Sequence, residues 1–320
     1  MRSDRSRSFV APDAGVLQPH QGREEGWPWM PISEAAVMDD VERALLAAII
    51  AEPEDDTPRL VYADWLDEHG RPERAEFIRV QCELARLVLG KESDDQYAEL
   101  TRRQSELYAS HFLKWESEFA VTLPPNRQTR FWFRRGMVGD IYCRVKYFRE
   151  HGDQVVAAAP LEQLSLRQPT EKGIVGLSEL PAFRRVSGLS LQAEVIDPRV
   201  IRGLLGVPVE HLRSLDLSSG FSHASPPHGW AERSAGIVER LAASRQFSQL
   251  RRLKLVHAGI GDAGGRALAH SAGLAGLKVL LLTGNPLSEA TKELLRVRFG
   301  NAVYFDNSDY RGRLTLADIR

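Results

Sequence analysis

Leucines near the C-terminus of this chain alternate with other residues over a short stretch. Leu277, Leu280, Leu282, Asn285 and Leu287 follow the spacing LxxLxLxxNxL. Alternation at the central positions predicts a β-strand that buries its leucines on one face of a sheet. The asparagine comes after the strand, where its side chain is expected to bond main-chain groups as the chain turns.

The same spacing occurs four more times upstream, with weaker matches. The central leucines of the copies are Leu164, Leu189, Leu215, Leu253 and Leu280. They follow one another at steps of 25, 26, 38 and 27 residues. Three of these steps lie in the roughly 20–29-residue period of leucine-rich repeats. The long step contains a polar insert, 221–230, in which Pro226 and Pro227 exclude a strand.

Helical patterns separate the strands, for example at 263–271 and 288–298. The chain therefore resembles leucine-rich repeats of the longer, helix-backed kind. That resemblance implies an α/β fold, with a short solenoid whose parallel sheet forms the concave face. An ordinary α/β domain with leucine-rich strands is the alternative.

Apolar residues at helical spacing predict a small all-α domain before the repeats. A first helix is expected over 39–50. A second is expected from Thr57, whose hydroxyl would cap it ahead of Pro58. A third begins at Pro72, and a fourth covers 94–119. The stripe expected to be buried on the second helix is Leu60, Val61, Trp65 and Leu66.

Two blocks of this region carry a second resemblance. Residues 59–70 read RLVYADWLDEHG, and residues 74–81 read RAEFIRVQ. At this spacing they resemble the small repeat-companion domain of planctomycete bacteria, which precedes degenerate leucine-rich repeats. The stretch from 135 resembles the start of the repeats in such proteins, and 298–300 resembles their end. The resemblance implies architecture and bacterial lineage, but it implies no reaction.

These patterns divide the chain into three segments. Residues 1–37 are rich in Ser, Pro, Gly, Arg and Glu without any period, which predicts a disordered tail. Residues 38–125 are assigned to the helical repeat-companion domain and 126–320 to the leucine-rich repeats. Translation from Met38 instead of Met1 is an open alternative.

Composition narrows the class of protein. The net charge is −1, from 42 basic and 43 acidic residues, which argues against a protein that mainly coats nucleic acid. Cys82 and Cys143 lie far apart and form no CxxC pair, so neither a cysteine-based zinc module nor a disulfide framework is expected. No stretch approaches the roughly 18 apolar residues of a membrane span. A cytoplasmic protein without membrane contact is the expectation.

The densest cluster of potential ligands or acid–base groups is Asp64–His69. Asp64 and Glu68 share a helix face, so a divalent cation is one interpretation. Ion pairing with Arg71 and Arg74 is the favoured one, because two carboxylates alone hold a metal poorly.

Other motifs are weak. His223 and His228, in the insert, predict a solvated loop more than a zinc site. Residues 259–264 match GxGxxG, but the acidic residue expected about 20 positions later is missing. No GxSxG, GxxxxGK[ST] or HExxH motif occurs. No cofactor, metal site or catalytic residue is therefore assigned, and the chain is expected not to be an enzyme.

The side chains between the strand leucines form the predicted site. On a concave face they would bind a protein partner of unknown identity. This functional prediction rests on architecture, which does not by itself fix function. The residues assigned to partner binding are Arg167, Gln192, Asp216, Arg252, Lys254, Val256 and Leu281.

Two alternatives stay open. One is a divergent metal-dependent enzyme that uses Asp64–His69 or the His223/His228 insert. The other is nucleic-acid binding through 127–135, where arginines interleave with aromatic rings that can stack on bases. That stretch is better explained as the first, capping strand of the repeats, so nucleic acid is not the favoured partner.

Overall fold

The computed structural model describes residues 40–87, 94–120, 123–124, 126, 128–193, 197–218 and 230–306. The α-helices within these residues are α1 (Asp40–Ala51), α2 (Thr57–Glu68), α3 (Pro72–Arg86), α4 (Asp94–Ala120), α5 (Val145–Ala158), α6 (Glu171–Leu177), α7 (Pro198–Leu205), α8 (Trp230–Ala243), α9 (Asp262–Ala269) and α10 (Glu289–Phe299). The strands are β1 (Arg130–Arg134), β2 (Met137–Arg144), β3 (Gln163–Arg167), β4 (Gly188–Gln192), β5 (Ser214–Asp216), β6 (Arg252–Lys254), β7 (Val279–Leu281) and β8 (Val303–Tyr304).

The strands form one sheet in the order of the chain, from β1 to β8. β1 and β2 form an antiparallel hairpin. Every later neighbour is parallel. Parallel neighbours need a crossover connection, and helices α5 to α10 supply one each. The predicted α/β class is therefore confirmed.

Leucines from successive strands build the main core. The central leucines, which pair across neighbouring strands and have no exposed surface, are Leu164, Leu189, Leu215, Leu253 and Leu280. Leu204 of α7, Leu241 of α8 and Leu268 of α9 belong to the same buried cluster. The crossover helices thus cover the leucine face of the sheet.

The turns that precede the strands repeat a hydrogen-bond pattern. The main-chain oxygens of Ser187, Arg213 and Arg251 each accept two consecutive N–H groups from the next turn. For example, the oxygen of Arg251 accepts from the nitrogens of Lys278 at 2.8 Å and Val279 at 3.0 Å. Successive turns are therefore separated by the same numbers of residues as successive central leucines.

Asn285 bonds the main chain at four points after β7, one of them a 3.4 Å contact of its Nδ2 with the oxygen of Thr283. Its Nδ2 donates to the oxygens of Leu255 and Leu282, both at 2.7 Å. Its Oδ1 accepts from the nitrogen of Ile260 at 3.0 Å. The role expected of this side chain from sequence is confirmed, and it joins two successive turns of the chain.

The predicted helices occur before the sheet, but the buried side of α2 differs from the prediction. Val61 is 49% exposed. The buried residues of α2 are Arg59, Tyr62, Ala63 and Leu66. The helix start is also different, because the Oδ1 of Asp55, and not a threonine hydroxyl, accepts from the nitrogen of Thr57 at 2.8 Å. The capping and stripe predictions were wrong in these details, because neighbouring elements decide which side is covered.

Trp65 is only half-buried, against the expectation of a core position. Its ring stacks on the His69 imidazole, with 3.9 Å between ring centroids, and the Arg71 guanidinium lies 5.0 Å from its ring centroid. The aromatic core of this region instead contains Phe77, Trp115 and Phe133.

Several predictions concern residues outside the described part of the chain. They include the 1–37 tail, His223 and His228. The domain boundaries at 38–125 and 126–320 stay predictions. Among the described residues, no helix has both the length and the apolar content needed to cross a membrane.

Candidate partner-binding face

The side chains that alternate with the leucines point to the other side of the sheet, which we call the second face. Strand pairing places Ser165 beside Ser190, and Ser190 beside Asp216. Asp216 in turn pairs with Lys254, and Lys254 with Leu281. The sequence-derived order of this row is confirmed. Parallel pairing without register shifts is the reason, because equivalent residues then lie side by side.

The predicted binding residues differ in accessibility. Gln192 is exposed, and four others are half-buried, namely Arg167, Asp216, Lys254 and Val256. Arg252 is 9% exposed and Leu281 only 4% exposed. Leu281 packs with Val279 and Tyr304 in a small apolar cluster. The side chains at the β7–β8 end of the second face are therefore largely buried, whereas the β3–β4 end presents polar groups to solvent.

Two polar side chains organise the middle of the second face. The Nε2 of Gln192 donates to the Oγ of Ser190 at 2.6 Å. The Oδ1 of Asp216 accepts from the nitrogen of Ser218 at 2.9 Å, just after β5. These contacts fix the orientation of both side chains on the face.

Asp140 of β2 is a buried carboxyl on this face, which the sequence reading did not single out. The Oγ of Ser165 donates to its Oδ1 at 3.2 Å, and the Nη2 of Arg134 lies 3.5 Å from its Oδ2. Burial raises the pKa of Asp140 to about 6, while Arg134 and the Ser165 hydroxyl act in the opposite direction. Its charge therefore changes within an accessible range of pH.

The β1–β3 edge carries aromatic and basic side chains. The rings of Trp132 and Tyr142 meet edge-on, with centroids 6.1 Å apart and an interplanar angle of 84°. Arg144 pairs across the strands with Arg167. Arg144 is exposed, and the other three residues are half-buried. Sequence reasoning assigned Arg167 to partner binding and Trp132 to the 127–135 alternative, but it missed Tyr142 and Arg144. Only strand register shows that the four lie together.

A buried charged joint links the hairpin to the helices. Arg135, 2% exposed, occupies the β1–β2 turn. Its Nη1 donates to the Asp56 carboxylate at 3.0 Å, and its Nη2 donates to the Glu162 carboxylate. Arg59, which has no exposed surface, places its Nη2 3.7 Å from Glu162. We call these four residues the charged joint.

Both guanidiniums of the charged joint are buried, and burial disfavours their charged form. Burial opposes the charged form of Arg135, but Glu162 and Asp56 outweigh it and raise its pKa. For Arg59, burial dominates and lowers the pKa. The charged joint could not be predicted from the sequence, because its members are far apart in the chain and only folding brings them together.

The hairpin turn fits closely against α3. Gly136 has a φ of 79°, and a Cβ there would lie 2.6 Å from the Cα of Ile78. Its nitrogen donates to the Oε1 of Gln81 at 2.6 Å. The turn therefore needs glycine both for its backbone angle and for the space it leaves.

The acidic cluster Asp64–His69 forms ion pairs, but with an unexpected partner. Arg79 contacts Asp64 at 2.7 Å and Asp67 at 2.6 Å. Pairing of the cluster with Arg71 and Arg74 was a wrong prediction, because Arg71 binds Glu42 of α1 at 2.7 Å. Arg74 instead lies over aromatic rings, 4.9 Å from the ring centroid of Trp115.

Other candidate chemistry is placed as follows. Within the described residues, no three side chains of His, Cys, Asp or Glu come together in a way that could hold a metal. Cys82 and Cys143 are buried free thiols, and burial raises the pKa of each to about 12. In the basic stretch 127–135, Arg134 contacts Asp140 and Arg135 belongs to the charged joint, so neither guanidinium projects freely.

Comparison with known proteins adds little to this picture. No family profile matches the chain, and no curated protein matches it. A crystal structure of a protein from Bacteroides fragilis is similar at 14% identity, over 69% of this chain and 87% of that chain, with a TM-score of 0.26. We therefore build the functional proposal on the residues of this chain alone.

Proposed function

We propose that this chain is a non-enzymatic leucine-rich-repeat protein that binds a protein partner through the second face of its sheet. In this proposal the second face is the concave side of a short solenoid, and α1 to α4 belong to a repeat-companion domain. The stacked turns and the bonds of Asn285 support the repeat assignment, because each repeat contacts its neighbours in the same way.

One observation carries the binding function. Consecutive parallel strands bring Gln192, Asp216 and Lys254 onto one surface, while the helices pack on the leucine face. Such a surface offers a partner an array of hydrogen-bonding and charged groups on a rigid frame. Rigid frames limit the entropy lost on binding, which favours specific recognition.

The arrangement of the second face is also better suited to binding a partner than to catalysing a reaction. Asp140 is the side chain here with a strongly raised pKa, and Ser165 and Arg134 already occupy its oxygens. Asp216 is held by the main chain at Ser218. The Ser165 hydroxyl bonds the Asp140 carboxyl, but both residues are only 8% exposed, so this pair is poorly placed to act on a substrate.

Site-specific photocrosslinking in lysate of the source organism tests this proposal. A benzoylphenylalanine at Gln192 reports on the second face, and one at Arg240 of α8 reports on the helix side. We expect a discrete protein adduct from position 192 that is absent at position 240. The adduct should disappear when excess unlabelled wild-type protein competes, but persist with excess Gln192→Arg protein.

Equal adducts from both positions, or none from position 192, would refute binding through this face. Circular dichroism of each variant confirms that the fold is retained, so that a negative result reports on binding.

A further inference from the structure

The β1–β3 edge of the second face combines positive charge with an aromatic surface. Arg144 and Arg167 are neighbours on parallel strands, which lie about 4.8 Å apart. Within the described residues, neither guanidinium has an ion-pair or hydrogen-bond partner. Two like charges on neighbouring positions of one sheet face repel each other, so an anion that contacts both is stabilised.

The nearby acids do not supply that anion. Asp140, two residues before Tyr142 on the same strand, is engaged by Arg134 and Ser165. Glu116 is engaged as well. Burial raises its pKa and the charge of Arg130, which pairs with Tyr142 across β1 and β2, opposes that rise, so this carboxyl interacts with Arg130. The charge of Arg144 and Arg167 is therefore directed at something outside this part of the chain.

An aromatic contact lies beside the two arginines. Tyr142 and Arg144 lie on the same side of β2, with the buried Cys143 between them, and the Tyr142 ring meets the Trp132 ring edge-on. Both rings are half-buried, so each keeps apolar surface open to solvent. Tyrosine, tryptophan and arginine are the residues most enriched where binding energy concentrates in protein interfaces.

We infer that Trp132, Tyr142, Arg144 and Arg167 bind an acidic segment of the protein partner. An apolar side chain of that segment packs on the two rings, and neighbouring carboxylates pair with the two guanidiniums. Arginine is suited to this role because its planar fork donates two parallel hydrogen bonds to one carboxylate. The inference rests on the proposed function, since it names the chemistry that one end of the second face recognises.

A protein segment fits the site better than a nucleic acid does. A single strand needs a continuous basic track for its phosphates and ring faces open to stacking. Here the guanidiniums of Arg144 and Arg167, which have no partner among the described residues, form one local patch, and the Trp132 and Tyr142 rings lie edge to face against each other.

Selection from a displayed library of random peptides on the immobilised full chain tests the inference. We expect the enriched peptides to combine several Asp or Glu residues with an aromatic or aliphatic residue. Synthetic fluorescein-labelled versions are then titrated by fluorescence anisotropy. An Arg144→Glu/Arg167→Glu variant should bind them at least about tenfold more weakly, and Tyr142→Ala should weaken binding as well.

The matched control reverses two exposed arginines on the helix side, Arg240→Glu/Arg245→Glu. It carries the same change in net charge, and it should retain the wild-type affinity. A loss of affinity in both double variants would mean that net charge, not the site, drives binding, and would overturn the inference. So would a peptide pool without enrichment in acids, or a failure to enrich any peptide.

A labelled oligothymidylate is the second probe. One result would show that the site binds nucleic acid and that the inference is wrong. In that case the oligothymidylate binds the wild type but not the Arg144→Glu/Arg167→Glu variant, and no acidic peptide shows that difference between the two proteins. Failure of this inference can be told apart from failure of the proposed function. If binding of the selected peptides depends on Gln192 but not on the two arginines, the second face still binds protein, and only this inference is wrong.

Discussion

The side-chain amide of Asn285 donates a hydrogen bond to the main-chain oxygen of Leu255, 30 residues earlier in the chain. The same side chain accepts from the nitrogen of Ile260. A half-buried side chain thus satisfies main-chain groups where two successive turns leave the sheet. Without it, these groups would lose partners in a place that water reaches poorly.

Asn285→Ala should therefore lower the free energy of unfolding by about 1–3 kcal/mol, because it leaves main-chain groups unpaired. Asn301→Ala is the matched control, since Asn301 is exposed and should have an effect within about 0.5 kcal/mol. Urea denaturation followed by circular dichroism measures both. Similar effects for the two variants would show that Asn285 contributes nothing through its bonds.

The charged joint gives a second prediction. Arg135→Gln removes the guanidinium that contacts Asp56 and Glu162 and leaves two carboxylates with less compensation. Breaking a buried pair in this way should cost about 3 kcal/mol. The exposed Arg240→Gln is the control and should cost little. The measurement is again equilibrium unfolding, and a loss below about 1 kcal/mol would contradict the assigned role.

Gly136→Ala should destabilise the fold by more than Gly70→Ala. Both glycines have positive φ, 79° and 71° respectively. A Cβ at position 70 meets nothing within 4 Å, so only the backbone strain of about 1–2 kcal/mol applies there. At position 136 the Cβ would also press on the Ile78 main chain.

Thermal unfolding of the two glycine variants, compared at one pH, measures the difference. We expect Gly136→Ala to have the lower Tm by several degrees. Equal Tm values would show that the hairpin turn can move away from α3, and that the close packing there is not required.

Asp140 predicts a dependence of stability on pH. Its folded pKa of about 6 lies above the ordinary aspartate value of 3.8, so between these pH values the native state holds a proton that the unfolded state releases. The contribution to stability is fully present below about pH 4 and is lost as the pH rises through 6. A difference of about two pKa units corresponds to about 3 kcal/mol.

The Asp140→Asn variant isolates this contribution from others of the same sign, such as that of Glu116, whose pKa burial raises to about 7. Denaturant unfolding is measured at several values between pH 4 and pH 7. Wild type should lose stability relative to the variant across that range. A constant difference between the two proteins would mean that the pKa of Asp140 is not raised in the native state.

The leucine pattern determined the five strands β3 to β7, their order and their register. Each strand has a buried face, and a shift of one residue would turn its leucines to the other side of the sheet. For that reason the row from Ser165 through Ser190, Asp216 and Lys254 to Leu281 follows from spacing alone. The cap formed by Asn285 follows as well, since its partners are main-chain groups of the repeated turn.

Tertiary structure decided which of these side chains are accessible. Lys254 and Leu281 occupy equivalent positions on neighbouring strands, yet Lys254 is half-buried and Leu281 is buried against Val279 and Tyr304. On α2, Arg59 is buried and Val61 exposed, the reverse of what hydrophobicity predicts. Residues distant in sequence cause both results, so a local pattern contains no trace of them.

The charged joint and the β1–β3 edge follow the same principle. Arg135 meets Asp56 and Glu162, and Arg144 meets Arg167, only because the hairpin docks on the helices and β2 pairs with β3. The sequence by itself determined the periodic framework, because equivalent residues of successive repeats become neighbours in the sheet. Contacts between non-repeating residues depend on how whole elements pack, and only the folded chain determined them.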